Sequence, residues 1–222
     1  MSLFITGTGT GVGKTVVTAA LAALLKSRGE NFCVYKPIQT GSPVDQPEDP
    51  TAIKSWVGSD VETFCSYVFP DPVAPYAADP KRTIHSGKIL HDYKDLQKKH
   101  GIVLVEGAGG VRVPVARHLE MIDLIRMLQL PVLVVASPVL GTMNHTLLTV
   151  ESLMAQRIEI KGVVISGYPT GDEAEEPAIK TLLPTLEAFL PVPLLGCLPS
   201  IDLSPQGFSA AIPAVKKLKI FD

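Results

Sequence analysis

Residues 3–15 read LFITGTGTGVGKT. An apolar run, Leu3-Phe4-Ile5, leads into glycines alternating with small residues, and the stretch closes on Gly13-Lys14-Thr15. A strand that ends in such a loop and feeds a helix is the usual entry to an α/β phosphate site. Two loop types compete. The dinucleotide pattern G-x-G-x-x-G fails in every frame, because its sixth position falls on Val12, Lys14 or Val16. The nucleotide loop G-x-x-x-x-G-K-[ST] fits at its end, but its first glycine is Gly7, one residue early, and Thr8 stands at the strict position. The physics still suits a triphosphate. Glycines let backbone N–H groups turn inward around an anion. The Lys14 ammonium can reach the β- and γ-phosphates, the Thr15 hydroxyl can ligate Mg²⁺, and a helix starting near Gly13 points its positive end at the same spot. Nucleotide contacts are therefore expected along Thr10, Gly11, Val12, Gly13, Lys14, Thr15 and Val16.

Outward from this loop, short apolar runs alternate with helical stretches. Strands are predicted at 3–6, 32–36, 102–106, 132–136, 162–165 and 193–196. Most are apolar on both faces, as parallel strands covered by helices are. A helix is predicted over 14–28, closing on Lys26, Arg28 and Gly29. Another is predicted over 144–156, and a weaker one over 175–189 with an interruption or kink at Pro184. The alternation predicts an α/β fold, a doubly wound and mostly parallel sheet of P-loop NTPase architecture, forming one domain over 1–222 with its chemistry at the carboxyl ends of the strands. Three Pro/Gly-rich segments, 41–50, 69–80 and 166–177, read as excursions from this scaffold, where binding residues concentrate.

Composition removes other classes. Twenty Lys and Arg stand against 22 Asp and Glu, a net charge of −2, so no basic field points to nucleic acid or to an anionic membrane. Hydrophobic residues make up 46% and charged residues 19%, the balance of an ordinary globule. Three distant cysteines (Cys33, Cys65, Cys197) form no zinc or redox spacing and read as reduced thiols of a cytoplasmic protein, with Cys33 and Cys197 buried. No signal peptide or membrane span is expected. The histidines (His85, His91, His100, His118, His145) are scattered, and only His145 falls within a motif.

Two strand ends supply further chemistry. "IVLVEGAGG" (102–110) puts Glu106 after four apolar residues and before a glycine-rich turn, where it can hold Mg²⁺ directly or through water. Gly107, Ala108 and Gly109 would allow a phosphate to approach closely. "VYKPIQTGS" (34–42) puts Lys36 at another carboxyl end, a second fixed cation for a transferring phosphoryl group. A lysine in such a place is otherwise a solvated surface group.

Together, "GTGTGVGKT", "YKPIQTGS", "VEGAGG" and "LGTMNHTLLT" (140–149), in this order and spacing, resemble the dethiobiotin synthetases of biotin biosynthesis. The resemblance runs from Leu3 to about Gly167, with a weaker echo in "PVPLLGCLP" (191–199). It implies an ATP-dependent ring closure of 7,8-diaminononanoate with CO₂ to dethiobiotin, through a carbamate and a carbamic-phosphoric anhydride, releasing ADP and phosphate. It also implies phosphate-stabilising roles for Lys14 and Lys36, Mg²⁺ ligation by Thr15 and Glu106, and substrate contact by Thr40. The family's further metal aspartate matches Asp49, with Asp45 as rival; Asp49 equally suits the N-cap of a helix over 51–56. Gly141, Thr142 and Asn144 match a helix start that receives the substrate carboxylate across a homodimer interface, although Asn144 also suits a plain N-cap.

The chain departs from some members at Gly11, where they carry Glu, and at Ser166-Gly167, where others carry Asn-Asp and the Asn reads adenine. Ser166 and Gly167 are thus the expected base contacts, with another nucleoside triphosphate open beside ATP. Partitioning-type ATPases, the rival class, resemble K-G-G-x-G-K-T, with an extra lysine six positions before the invariant one; Thr8 stands there. An amidotransferase-type ligase would need a Cys–His domain for which 222 residues leave no room.

Overall fold

The computed structural model describes residues 1–221. In chain order the elements are β1 (Leu3–Gly7), α1 (Lys14–Ser27), β2 (Phe32–Thr40), α2 (Glu48–Val57), β3 (Thr63–Phe69), α3 (Pro75–Ala78), α4 (Ser86–Lys99), β4 (Ile102–Gly110), β5 (Pro114–Ala116) and β6 (Leu119–Glu120). There follow α5 (Met121–Leu128), β7 (Val132–Ala136), α6 (Thr142–Ala155), β8 (Ile160–Tyr168), a 3-10 turn (Gly171–Glu175), α7 (Pro177–Lys180), α8 (Leu182–Phe189), β9 (Leu194–Pro199) and α9 (Pro205–Lys217).

Seven strands form one sheet in the order β3-β2-β4-β1-β7-β8-β9, every pair parallel. The chain first builds outward from β1 to one side, returns through β4, then builds to the other side. The reversal therefore falls at β1, and the crevice at its carboxyl end is the switch point where such sheets bind ligands. Alternation along the strands divides the core in two. Phe4, Tyr35, Val103, Val105, Val132 and Val134 face α4, α5, α6 and α8. Leu3, Ile5, Val34, Leu104, Leu133 and Val135 face α1, α2 and α9. Both faces are covered, which is why the strands read as unbroken apolar runs.

The six predicted strands all form, most of them longer than predicted. Three details differ. The edge strand β3 (TFCSYVF) was not expected, because a half-buried run with Ser and Cys inside it lacks both the apolar continuity of central strands and clean alternation. Beyond Glu106 the chain does not turn. Gly107–Gly110 extend β4, and Gly110 pairs with Gly7. Glycine is needed there for close approach, since a Cβ at Gly107 would stand 2.9 Å from the Phe4 ring. The segment 175–189 breaks at Thr181 into α7 and α8, so Pro184 lies in the first turn of α8, where its missing N–H leaves no bond unmade. All three cysteines are free; Cys33 is buried, whereas Cys197, like Cys65, is half-buried. Among the described residues no helix is long and apolar enough to cross a membrane.

Candidate active site

The phosphate loop hangs between two fixed ends. The Thr8 N–H bonds to Val135 O at 3.0 Å, tying the loop's start to β7, and the Val17 N–H bonds to Gly13 O at 2.9 Å, opening α1. Gly13 takes φ 93°, ψ 21°, a left-handed conformation that turns the backbone from loop into helix. It also packs against β8: a Cβ at this position would lie 2.9 Å from Ser166 Cβ and nearer still to Ser166 Oγ. Lys14 curls back over the loop, its Nζ donating to Gly9 O at 2.8 Å.

Around this loop lies a cavity of about 360 Å³, bounded by the ends of β2 and β4 and the first turn of α2. Thr10, Gly11, Gly13, Lys14, Thr15, Val16, Lys36, Thr40, Asp49, Glu106, Ala108 and Gly109, all expected from sequence, line it. At its floor, Lys36 Nζ lies 2.5 Å from Asp49 Oδ2 and 2.8 Å from Glu106 Oε1, and donates to Gly107 O at 3.3 Å. Lys36 is 4% exposed and Glu106 1%, so Lys36 is no solvated surface lysine. Thr15 Oγ1 stands 3.1 Å from Asp49 Oδ1 and 3.0 Å from Glu106 Oε1. Its single proton can serve only one carboxylate at a time.

The two lysines differ in their electrostatics. Burial pulls the Lys36 pKa down, but the carboxylates of Glu106 and Asp49, with their hydrogen bonds, outweigh it and leave Lys36 above the ordinary lysine value. Among the described residues, Lys14 has only a carbonyl as direct partner. Its burial, and then the neighbouring Lys36 charge, bring it down to about 8 against the pull of Glu106 and Asp49. Burial would raise the Asp49 carboxyl, yet Lys36 and the Thr15 hydroxyl hold it below its usual value.

The donor set suits a hard divalent cation. Two carboxylates and a hydroxyl converge, all oxygen. Glu106 Oε2 is buried with no hydrogen-bond partner among the described residues, so the carboxylate whose Oε1 meets Thr15 and Lys36 keeps unused lone pairs. Asp49 sits at the second helical position of α2, after Pro47 at the N-cap, so it caps nothing and its side chain faces Lys36 and Thr15. Asp45 is exposed in the preceding turn, outside the cavity lining.

A second cavity of about 250 Å³ continues from Gly11, Gly13 and Val16 to Val12, Ser137, Ser166, Gly167 and the 199–203 loop. It holds hydroxyl and apolar side chains but no amide or charged one. Gly107 contributes its carbonyl to Lys36 and lines neither cavity. Gly141, Thr142 and Asn144 lie apart from the floor, at the start of α6. Gly141 is the N-cap there and Asn144 is inside the first turn and exposed, so Asn144 does not cap. Thr142 is buried, its Oγ1 without a partner among the described residues. His145 borders a third cavity with Thr8, Gly9, Thr10 and Arg112. Sequence reasoning passed over Gln39, buried at the end of β2 and lining the main cavity. It lies beyond the end of the strand predicted over 32–36, where nothing in the sequence marked it as buried.

Residues 1–206 match the family described as AAA domain. Among curated proteins, the ATP-dependent dethiobiotin synthetase BioD of Bacillus thuringiensis is 39% identical over 204 residues, covering 90% of this chain and 83% of that protein. The protein of the same name from Bacillus velezensis is 34% identical over 209 residues, covering 90% and 87%. That from Bacillus licheniformis is 37% identical over 211 residues, covering 91% and 87%. Among solved structures, the cell division ATPase MinD of Pyrococcus furiosus superposes with a TM-score of 0.60 at 20% identity, covering 99% of this chain and 97% of that one. The MinC:MinD complex of Aquifex aeolicus gives 0.63 at 13% identity, covering 98% and 94%. At such identities the likeness is one of fold alone.

Proposed function

The chain belongs to the ATP-dependent dethiobiotin synthetase family, and on that premise we propose that it closes the ring of 7,8-diaminononanoate with CO₂ at the expense of ATP. The observation that carries this reading is Lys36, buried between Asp49 and Glu106 at 2.5 and 2.8 Å beside the phosphate loop.

One substrate amine adds to CO₂ and loses a proton, giving a carbamate. A carbamate oxygen then attacks the γ-phosphorus as the bond to ADP breaks. The second amine attacks the carbamoyl carbon, phosphate departs with its oxygen, and loss of a proton leaves the cyclic urea. The last step is intramolecular and gains from high effective concentration. Lys14 and Lys36 place fixed positive charge where the phosphoryl oxygens gain negative charge. The same cations disfavour an ammonium on the substrate and so keep its amines nucleophilic. Thr15, Asp49 and Glu106 would hold Mg²⁺, which when bound supplies charge neutralisation across the β- and γ-phosphates. Thr40, which lines the cavity, would contact the substrate.

The substrate carboxylate is assigned to Gly141, Thr142 and Asn144 of a second copy in a homodimer. Support comes from the 14-residue helix α6 behind that N-terminus, the unpartnered Thr142 hydroxyl, and apolar side chains left exposed nearby, Val139 and Leu140, the latter 98% exposed. Size-exclusion chromatography with light scattering is expected to give a dimer, and an active monomer would remove this assignment. The enzyme is read as one domain working in the cytoplasm.

Phosphate release with Mg-ATP and bicarbonate tests the reaction. It is expected to depend on the diamine and to yield dethiobiotin by mass; release indifferent to the diamine would return the chain to the plain ATPases. The base assignment can be read in the same assay. With Ser166, Gly167 and hydroxyl side chains in place of a base-reading amide, ATP is expected to exceed GTP or CTP in kcat/KM by no more than about 100-fold, the modest discrimination of a site without built-in polar readout. A preference of several thousand-fold for ATP would mean that the backbone reads the base.

A further inference from the structure

Helix α2 carries Asp49 into the site, yet it begins with the wrong residue for a cap. The first turn of any helix has N–H groups without intrahelical partners, and Pro47 at the N-cap has no side-chain acceptor to offer them. The donors can be followed one by one. Pro47 and Pro50 have no N–H. The Thr51 N–H makes the first helical bond, to Pro47 O at 3.0 Å. Two donors remain, and both are met from outside the helix. The Glu48 N–H donates to Ser42 Oγ at 3.1 Å, and the Asp49 N–H to Gln39 Oε1 at 3.4 Å.

Both acceptors are buried, Ser42 at 2% and Gln39 at 5% exposure, and both belong to β2 or the turn directly after it. Gln39 is itself held, its Nε2 donating to Thr40 O at 3.1 Å. The far end of α2 is fixed separately, by Trp56 stacked on Phe208 of α9 with ring centroids 5.5 Å apart. Lys36 thus comes from β2, and the helix bearing its partner Asp49 is tied to that same strand through Gln39 and Ser42.

We propose that Gln39 and Ser42 form a borrowed cap that sets the position of the Asp49 carboxylate against Lys36, Thr15 and the bound cation, making them positioning residues for phosphoryl transfer. This rests on the reading of Asp49 given above. A cap serving stability alone would lower the melting temperature and nothing else.

The experiment measures Mn²⁺ binding to the protein–ATP complex by electron paramagnetic resonance, without diamine, alongside the Mg²⁺ dependence of diamine-driven phosphate release. Gln39→Ala and Ser42→Ala are expected to weaken Mn²⁺ binding severalfold each, and the double variant tenfold or more. Metal-free ATP binding should move less than threefold. Ser42→Thr, which keeps the hydroxyl, should restore the parental value. In an Asp49→Asn background the same alanines should add almost nothing, since their effect passes through that carboxylate. Unchanged Mn²⁺ binding in well-folded single variants, or full additivity with Asp49→Asn, overturns the proposal. The Mn²⁺ measurement needs no ring closure, so a chain that bound metal as described but ignored the diamine would contradict the proposed reaction and leave the borrowed cap standing.

Discussion

Lys36→Ala is expected to lower diamine-dependent turnover by about 10²–10³-fold, the loss that follows removal of one preorganised charge-stabilising group. Nucleotide binding should stay measurable, because Lys14 and the backbone of the phosphate loop remain. Lys36 also has a structural role. Without its ammonium, the Asp49 and Glu106 carboxylates, which both meet the Thr15 hydroxyl, lose the cation they share. Breaking a buried ion pair from one side costs about 3–5 kcal/mol. A divalent cation can supply the missing charge, so Mg²⁺ is expected to raise the melting temperature of Lys36→Ala more than that of the parent. Calorimetric titration with ATP, steady-state turnover and thermal unfolding with and without Mg²⁺ separate these effects. Near-normal turnover would take Lys36 out of the mechanism.

Gly13→Ala is expected to reduce nucleotide affinity at least about 30-fold. Two penalties coincide there. A left-handed conformation costs an L-residue about 1–2 kcal/mol, and Gly13 has φ +93°. The new methyl group would also drive into Ser166, which belongs to β8 and cannot retreat into a packed sheet, adding about 1–3 kcal/mol. Gly11→Ala separates the two penalties, because Gly11 has φ +76° but open space around it. It should lose much less, while Gly13→Ala with Ser166→Gly should recover only the steric part. Titration with a fluorescent ATP analogue reads all three, and parental affinity in Gly13→Ala would show that the loop does not need its present shape.

Most of the candidate site falls in a few short stretches of sequence, which is why it could be read there. The phosphate loop is one run of nine residues, and Lys36 and Glu106 each follow an apolar run in a strand whose carboxyl end faces the switch point. What escaped was whatever depends on where a connection lands. Asp49 and Asp45 stand four residues apart in one proline-rich segment, and only the docking of α2 on β2 separates them. Gln39 lay beyond the strand predicted over 32–36, and its task is a bond to a helix ten positions away. Strand β3 was missed because an edge strand is half-buried and need not be apolar throughout. The break at Thr181 could not be read from Pro184, because proline in a first turn and proline in mid-helix look alike until the start of the helix is known.

The central place of β1 has a consequence for how the molecule opens. Its five residues are all buried between β4 and β7, and the phosphate loop continues directly from its end. Local fraying can peel β3 or β9 from the margins of the sheet, but it cannot release the base of the loop without parting the middle of the fold. Bound nucleotide therefore adds its free energy to the slowest amide exchange of the whole protein, that of β1, β4 and β7, while the marginal strands exchange through openings that the ligand scarcely affects.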